Sequence, residues 1–525
     1  MSPWAAWSQE AFARARTQGK PILAALGPLP PRDLAQAESE IARSFVAILA
    51  DPQTRPDVAA RIGRGRAVIL DVDGARRAVL TLPEPALGAA LARLALEAGT
   101  PRPASTPAEA WTGAVRETPL GAAPDAARVS VVFEALPKSG AEGTSRLLDL
   151  VEALLHAAGE RGDAAARAAL TAVLEARLAG WDPARRPFPL ADEGAAEGSP
   201  VSAHARWARL LWDAHALTGE ARWRDAAASL SERLARDFFD STLDAFRREP
   251  SPECAVYPAE GNAQAAIALM RARAFNHPGA GETAEKALAF LQMRLYDPLL
   301  GLLHARGGDG EKVYGLLGDA AWTALAFTDA FLLTGIKAHR EFADAMLRFL
   351  FQELWEREAG GFLDRVSRAD DPAILREPHL DPALNAVALE VCLRLHHLKG
   401  NHNYRRWLEW GLRGAWPAAE ADAPRVAGLA RVAGLHARGR MDFELVGRLG
   451  EAKASALLAA AHRLYLPRKV ISFVDPDDQD YILAHRLEAE TYPRLFACGC
   501  DLRRIADAAE PSGVPALAAA LREAR

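Results

Sequence analysis

Cysteine is nearly missing from this chain. Its 525 residues hold four, Cys254, Cys392, Cys498 and Cys500. That excludes a disulfide scaffold and fits a reducing compartment. An excess of basic residues is missing too. Lys and Arg number 63 against 68 Asp and Glu, a formal charge of −5, which leaves no electrostatic footprint for nucleic acid. No apolar run approaches the roughly 20 residues that a membrane helix needs. The opening MSPWAAWSQEAF lacks the basic start and apolar core of a secretory signal. The expectation is a soluble cytoplasmic protein with neither nucleic acid nor membrane as partner. What remains is ordinary globular composition, 50% hydrophobic and 25% charged, at a length that favours about two to four domains.

Helix and strand signals alternate over about 1–100. Trp7–Phe12 opens a helix, Pro21–Leu26 reads as a buried strand, and another helix starts near Leu34. Arg66–Leu82 places two β-rich runs around Asp73-Gly74, a hairpin signal. EPALGAALARLALEAG closes the region as an amphipathic helix. The Pro-, Thr- and Ala-rich stretch 101–142 reads as a linker or crossover.

From 143 to 439 nearly everything has helical period. LLWDAHALTGEARWRDAA, GDAAWTALAFTDAFLLTGIKAHREFADAM and LNAVALEVCLRLHHLKGNHNYRRWLEWGL share one plan. Each has a polar residue, a small-residue helix, a turn at Gly219, Gly335 or Gly400, and a second helix that starts with aromatics. GNAQAAIALMRARAFNHPGAGETAEKALAFL is a weaker copy. The leading polar residues Asp213, Asn262, Asp319 and Asn385 are spaced by 49, 57 and 66 residues. Such spacing fits helical hairpins with variable loops. Small residues on one helix of each pair fit the inner ring of a toroid, and a stack of antiparallel hairpins reads similarly. Over 440–525 the period changes again. Strand-like MDFELVGRL, KVISFVDP and RLFACGC alternate with helical stretches, giving a small α/β module.

The order of these segments resembles the spermatogenesis-associated protein 20-like family. The resemblance runs through WSQEAFARARTQGKPILAALG, ESEIARSF and DPQTRPDV, then LLWDAHAL, GLLGDAAW, ELWEREAGGFLDR and DPALNAVAL, and ends in RLYLPRKVISFVDPDD and LFAC. It covers about the first 60 residues and most of the chain after about 200. It implies a multidomain, mainly α chain. A thioredoxin-like domain (1–100) and a linker (101–142) would precede an (α/α)6 toroid of the six-hairpin glycosidase type (143–439) and the α/β module (440–525). The departures matter. The family places Cys-His-Trp-Cys after the first strand, where this chain has GPLPPRDL. It has Trp-Pro before the hairpin strand, where this chain has GRGRAVILDVDG. Its His-Phe-Glu and Tyr-Asp-Asn segments correspond to Arg206, Trp207, Ala208 and to Trp212, Asp213, Ala214, which keep only the aspartate. Its long acidic insertion is reduced to FRREPSPECAVYPAEGN.

Thiol–disulfide exchange needs a thiolate, and Gly27–Pro31 offers none. The expectation is a kept fold without redox chemistry, its thioredoxin-like face free for a protein partner. Cys498-Gly-Cys500 lacks the further ligands of a structural zinc site and reads more simply as buried strand-end cysteines. His396, His397 and His402 fit a solvated turn. No metal or cofactor is expected. In a toroid of parallel inner helices, Asp213, Asp319, Asn262 and Asn385 would face one central pocket. Trp212, Trp322 and Tyr314 would stack on a sugar ring, and His304, His379, Glu260 and Asp381 would stand in the loops. Glycoside hydrolysis takes two carboxyl groups, and sugar epimerisation takes a general acid and base. Asp and Asn are also favoured helix N-caps, so capping alone is the competing reading. Two functions follow: binding or processing of a small carbohydrate, or a non-catalytic scaffold. An open, polar lumen or a plugged one separates them.

Overall fold

The computed structural model describes residues 3–27, 31–63, 65–82, 84, 87–98, 126–136, 144–179, 181, 188, 200–308, 311–416, 423–499 and 503–523. Pro28–Pro30 of the thiol-free turn, most of 101–142 and Cys500 lie outside them. The chain forms two compact units.

The first unit is built on a five-stranded sheet. In chain order its elements are β1 (Trp4–Ala6), α1 (Gln9–Gln18), β2 (Ile22–Leu26), α2 (Arg32–Gln36), α3 (Glu38–Ser44), β3 (Val46–Ala50), α4 (Pro56–Ile62), β4 (Arg66–Leu70), β5 (Arg76–Thr81) and α5 (Leu87–Ala98). The strand order is β1-β3-β2-β4-β5. β1, β3 and β2 run parallel, and β4 and β5 are antiparallel. β2 is buried along nearly its whole length, as its unbroken apolar run demands of a central strand. Gly74 closes the β4–β5 turn at φ +82°, and a Cβ there would stand 2.8 Å from the Cβ of Pro372, so position 74 needs glycine twice over.

Pro372 belongs to one of two later segments, Leu303–Leu316 and Leu363–Leu380, that join this unit. Ile374 and Leu375 are buried in the core beside Trp7, Phe12, Val58 and Ile62. Arg61 makes a bidentate pair with Asp364 at 2.6 and 3.1 Å. Asp57, without side-chain exposure, receives Arg55 at 3.0 Å and Arg365 at 3.4 Å. Burial works against the Asp57 carboxylate, but Arg55 and Arg365 outweigh it and hold the group below its usual range. The α1–α4 layer is therefore completed by residues some 300 positions away in sequence, as the Arg61–Asp364 separation of 303 shows.

The second unit is a closed double ring of helices. Its members in chain order are α6 (Ala126–Ala135), α7 (Thr144–Glu160), α8 (Ala164–Leu178), α9 (Pro200–Thr218), α10 (Ala221–Arg233), α11 (Ala259–Ala274), α12 (Ala280–Phe290), α13 (Leu317–Thr334), α14 (Lys337–Glu353), α15 (Pro382–Lys399), α16 (His402–Ala415) and α17 (Ala423–Arg438). The inner ring is α7, α9, α11, α13, α15 and α17, and α17 packs back on α7. Outside them stand α8, α10, α12, α14, α16 and α6. Six hairpins close the ring, the last pairing α17 with the much earlier α6. This is an (α/α)6 toroid. Small residues make the inner ring possible. α11 buries Ala259, Gly261, Ala263, Ala265, Ala266 and Ala268, and a Cβ on Gly261 would meet Val201 of α9 at 2.6 Å.

The C-terminal elements of this unit are β6 (Met441–Val446), α18 (Ala452–Arg463), β7 (Lys469–Val474), α19 (Gln479–His485), β8 (Arg494–Cys498), β9 (Arg504–Ala508) and α20 (Val514–Glu523). The sheet order is β7-β6-β8-β9, with β6 and β7 parallel and β8 and β9 antiparallel. From β2 onward the first unit has the same connectivity: second strand, first, third, fourth. The α/β tail thus repeats the layout of the N-terminal sheet. Cys498 is buried at the end of β8.

Candidate functional site in the toroid lumen

The inner helices are parallel, so the lumen has an N-terminal and a C-terminal end. Side-chain spacing confirms the alignment. A Cβ on Gly318, at the start of α13, would meet Glu260 of α11 at 3.1 Å and Leu384 of α15 at 3.4 Å.

Glu260 and Asp319 come together at this end. The Glu260 backbone N–H donates to Asp319 Oδ1 at 3.3 Å, and Gln264 Nε2 donates to Glu260 Oε1 at 2.9 Å. Asp381 is the N-cap of α15 and accepts from the Ala383 and Leu384 N–H groups at 2.8 and 3.0 Å. Asn262 and Asn385 share a third role. Asn262 accepts from the Phe246 N–H at 2.7 Å and donates to the Phe246 carbonyl at 3.0 Å. Asn385 does the same with Phe362 at 2.8 and 2.9 Å. Each amide thus pairs with both the N–H and the C=O of one residue in a short β-hairpin upstream of its helix. This is neither N-capping nor an open pocket wall. We expect Asn262→Asp to cost about 1–2 kcal/mol in urea unfolding, because a carboxylate cannot donate and strands the Phe246 carbonyl.

Asp213 departs from its expected place. It lies near the C-terminal end of α9 and not at the start of a helix. Trp212 faces outward within its hairpin, stacked on Phe275 at 4.7 Å with Nε1 donating to Ser231 Oγ. Trp322 is on the lumen side, with the Arg206 guanidinium 5.5 Å from its ring centroid. His304, Tyr314 and His379 belong to the first unit. There His304 Nε2 lies 3.0 Å from the Gln53 carbonyl, Tyr314 bridges Leu303, and the His379 carbonyl accepts from the Asp364 N–H.

The lumen itself is filled by charge. Arg206 reaches Asp149 at 2.6 Å and Glu152 at 3.7 Å. Arg209 reaches Glu152 at 2.8 Å and Asp213 at 3.8 Å, and Arg271 pairs with Asp213 at 2.8 Å. Arg431 bridges Glu152 and Glu390, and Arg394 bridges Glu390 and Asp329. Five guanidiniums and five carboxylates form one connected chain over α7, α9, α11, α13, α15 and α17. Only Asp213 was singled out from sequence, and Arg206 only as a departure from the family pattern. The others stand mid-helix among apolar residues, as Glu390 does in NAVALEVCL, and that setting was the available signal.

Electrostatics follows partner number. Burial opposes the Glu152 carboxylate, but Arg209, Arg431 and Arg206 outweigh it and hold the group at about 2. Glu390, between Arg431 and Arg394, is likewise depressed against its burial. Asp149 and Asp329, each with one principal guanidinium, are pushed up because burial wins.

The C-terminal end is covered by the end of α18, the start of β7 and the segment between them. His462 Nε2 lies 2.9 Å from the Leu332 carbonyl. A Cβ on Gly159 would stand 2.5 Å from the Tyr465 ring, so Tyr465 lies directly on α7. Lys469 Nζ donates to the Ala461 and Leu464 carbonyls at 3.1 Å each, and burial, reinforced by Arg271, drives its pKa well down. The space left in the lumen is a cavity of about 130 Å³ lined by eight of the ten network residues, Glu152, Glu390 and Arg431 among them, and by this segment. Ligand sites run from about 300 Å³ upward. Among the described residues no group of three or more His, Cys, Asp or Glu is placed to hold a metal ion, and no helix is long and apolar enough to cross a membrane.

No protein-family model and no curated protein matches this chain. Solved structures of carbohydrate-acting enzymes do. The GH76 α-mannanase of Bacteroides thetaiotaomicron aligns over 59% of this chain and 96% of its own, at 10% identity and a TM-score of 0.45. A family 105 glycoside hydrolase of C. acetobutylicum covers 59% and 98%, at 11% identity and a TM-score of 0.44. Cellobiose 2-epimerase from Bacillus thermoamylovorans covers 53% and 76%, at 10% identity and a TM-score of 0.44. The assignment of the toroid rests on its closed helix ring and not on these likenesses.

Proposed function

We propose that this chain is a redox-inactive, non-catalytic scaffold, a divergent relative of the spermatogenesis-associated protein 20-like proteins. One observation carries the reading: the toroid lumen is occupied by a continuous, charge-balanced set of ion pairs. A sugar ring would have to break several of them, and each broken pair would leave a buried charge without its partner. Arg206 stands where the family has histidine and lies over Trp322, the aromatic that would otherwise serve for stacking. The sheet order β1-β3-β2-β4-β5 supports a thioredoxin-like first domain. The equivalent strand-to-helix junctions, Gly27–Pro31 and Gly447–Glu451, both lack cysteine. The α1–α4 layer takes Ile374 and Leu375 into its core, so this domain acts as an organiser of two loops and not as a free catalyst.

A second reading has one observation in its favour. Glu260, Asp319 and Asp381 stand at the aligned starts of three inner helices, where carboxylates suit sugar hydroxyls. A thermal-shift series with mannose, mannobiose and cellobiose separates the two. The scaffold reading expects no concentration-dependent rise in Tm. A native-state ligand at one hundred times its Kd would add about 2.7 kcal/mol, and a rise abolished by Asp319→Asn would establish the carbohydrate site instead.

A further inference from the structure

Within the second unit, two residues, Gly439 and Arg440, link α17 of the helix ring to β6 of the α/β module. Arg440 donates to the His397 carbonyl, in the last turn of α15, at 2.9 Å. Arg468, just before β7, donates to the Arg438 and Gly439 carbonyls at 3.1 and 3.2 Å and pairs with Glu160 of α7 at 2.6 Å. His397 lines the spaces on both sides of this joint. One is a groove of about 790 Å³ that it shares with His396, His402 and His436. The other is a cavity of about 20 Å³ that it shares with Leu435, Pro467 and Val470. Its half-buried side chain therefore stands where α15, α17 and the start of β7 meet.

A proton on His397 would enter a neighbourhood whose carboxylates are already engaged. On α15 itself, Arg394 is held by Glu390 and by Asp329 of α13, and Lys399 is turned to Asp344 and Glu341. Arg440 pairs with Asp442 of β6 at 2.9 Å. On α16 and α17, Glu409 takes both Arg405 at 2.9 Å and His436 at 3.3 Å, and Arg438 donates to the Glu160 carbonyl. Lys469 of β7 donates to carbonyls at the end of α18. The neighbouring rings are close as well. His396 lies 5.5 Å from His397 and 6.0 Å from His402 between centroids, and imidazoles at that separation repel when both are charged. Burial, then His396, Arg440, His436 and Arg394, hold the His397 imidazole at about 3. Burial likewise lowers His396 and His436.

We propose that His397 is a proton latch: neutral, it lets the α/β module seat on the ring, and its protonation in acid loosens the joint. The end of α18 and the start of β7 cover the C-terminal end of the lumen, so loosening uncovers the lumen cavity. The sign follows from linkage. An imidazole released from the joint returns to about 6.5, so the open joint takes up the proton and the seated one does not. Seating is intact above about pH 6.5 and weakens as pH falls toward 3.

The test is hydrogen exchange of the full chain, read by mass spectrometry at pH 7.5 and pH 5 and corrected for intrinsic rates. The joint segments 396–400, 438–441 and 466–470 should open about thirtyfold more often at pH 5, the factor that one group moving between about 3 and 6.5 supplies. Helix α11, in the middle of the ring, should change less and serves as the internal reference for global loosening. His397→Gln has no proton to take up, and its joint segments should follow α11 at both pH values. A second readout needs no variant: histidine NMR of the wild type should find the His397 imidazole still neutral at pH 5. Joint segments that follow α11 in the wild type overturn the proposal. So does an acid response that survives in His397→Gln, or a His397 that titrates near 6.5.

Discussion

Replacing Arg431 by methionine is expected to lower the unfolding free energy by about 3–5 kcal/mol, the usual cost of breaking a buried ion pair from one side. Arg431 is the link between the two halves of the lumen network, touching Glu152 at 3.4 Å and bonding Glu390. Its removal leaves Glu390 with Arg394 alone and Glu152 with Arg206 and Arg209. Both carboxylates then sit in a low-dielectric lumen with less compensation than ionisation requires. Glu390→Gln should also destabilise, because Arg394 and Arg431 bond different oxygens of Glu390 and an amide offers only one, leaving its Nε2 donor to donor with the other guanidinium. The decisive comparison is the double variant Arg431→Met, Glu390→Leu. A buried pair replaced on both sides by apolar groups is often neutral or stabilising. The double variant should therefore recover most of the loss. Urea denaturation of the three variants measures this directly. A loss below about 1 kcal/mol for Arg431→Met would mean that the lumen is wet enough to solvate the stranded carboxylates. That result would reopen the lumen to a polar ligand.

The same network explains what the sequence hid. Helical period, small inner-ring residues and turn glycines were enough for the hairpins, because each is a local signal. The Asp73-Gly74 hairpin was legible for the same reason. Ring closure was not, since its last pair brings α17 against α6, with most of 101–142 outside the described residues between the N-terminal sheet and this helix. The register of Asp213 was misread. In WDAHALTG and TDAFLLTG, Asp213 and Asp329 both stand six residues before a turn glycine. That spacing aligns Asp213 with Asp329, at the C-terminal end of the lumen, and not with Asp319 at the other. Asn262 and Asn385 stand inside the first turns of α11 and α15. Their partners, the peptide groups of Phe246 and Phe362, are 16 and 23 residues upstream, beyond the reach of capping rules. The loops that complete the α1–α4 core were invisible for a stronger reason. Nothing local in Ile374-Leu375 says that its partners are Trp7 and Phe12.

Acid should destabilise the toroid through its buried histidines before the depressed carboxylates Glu152 and Glu390 titrate. His156 of α7 is 1% exposed and stacked on Phe133 of α6 at 5.4 Å. Neither ring nitrogen has a hydrogen-bond partner among the described residues. Burial, reinforced by Arg431, Arg438 and Arg161, holds its pKa at about 3. The unfolded chain returns it to about 6.5. Between these values the unfolded state binds the extra proton and the folded state does not. Stability is therefore intact above about pH 6.5 and falls as pH drops toward 3. For this one group the loss is about 2 kcal/mol at pH 5 and about 3 kcal/mol at pH 4. His204, 3% exposed and lowered to about 4 chiefly by burial, adds in the same direction. Glu152 and Glu390 act later. Glu152, at about 2 in the fold, contributes stability above about pH 4.5 that is lost only as pH falls below it. Between about 6.5 and 4.5 the destabilising protonation is that of histidine. His156→Phe keeps an aromatic ring against Phe133 and removes the titrating group. It should flatten the pH dependence in that window while leaving the decline below about pH 4.5 in place. Urea midpoints of wild type and variant at several pH values read out both effects. An unchanged slope in the variant would assign the acid loss to other groups and place His156 in contact with water.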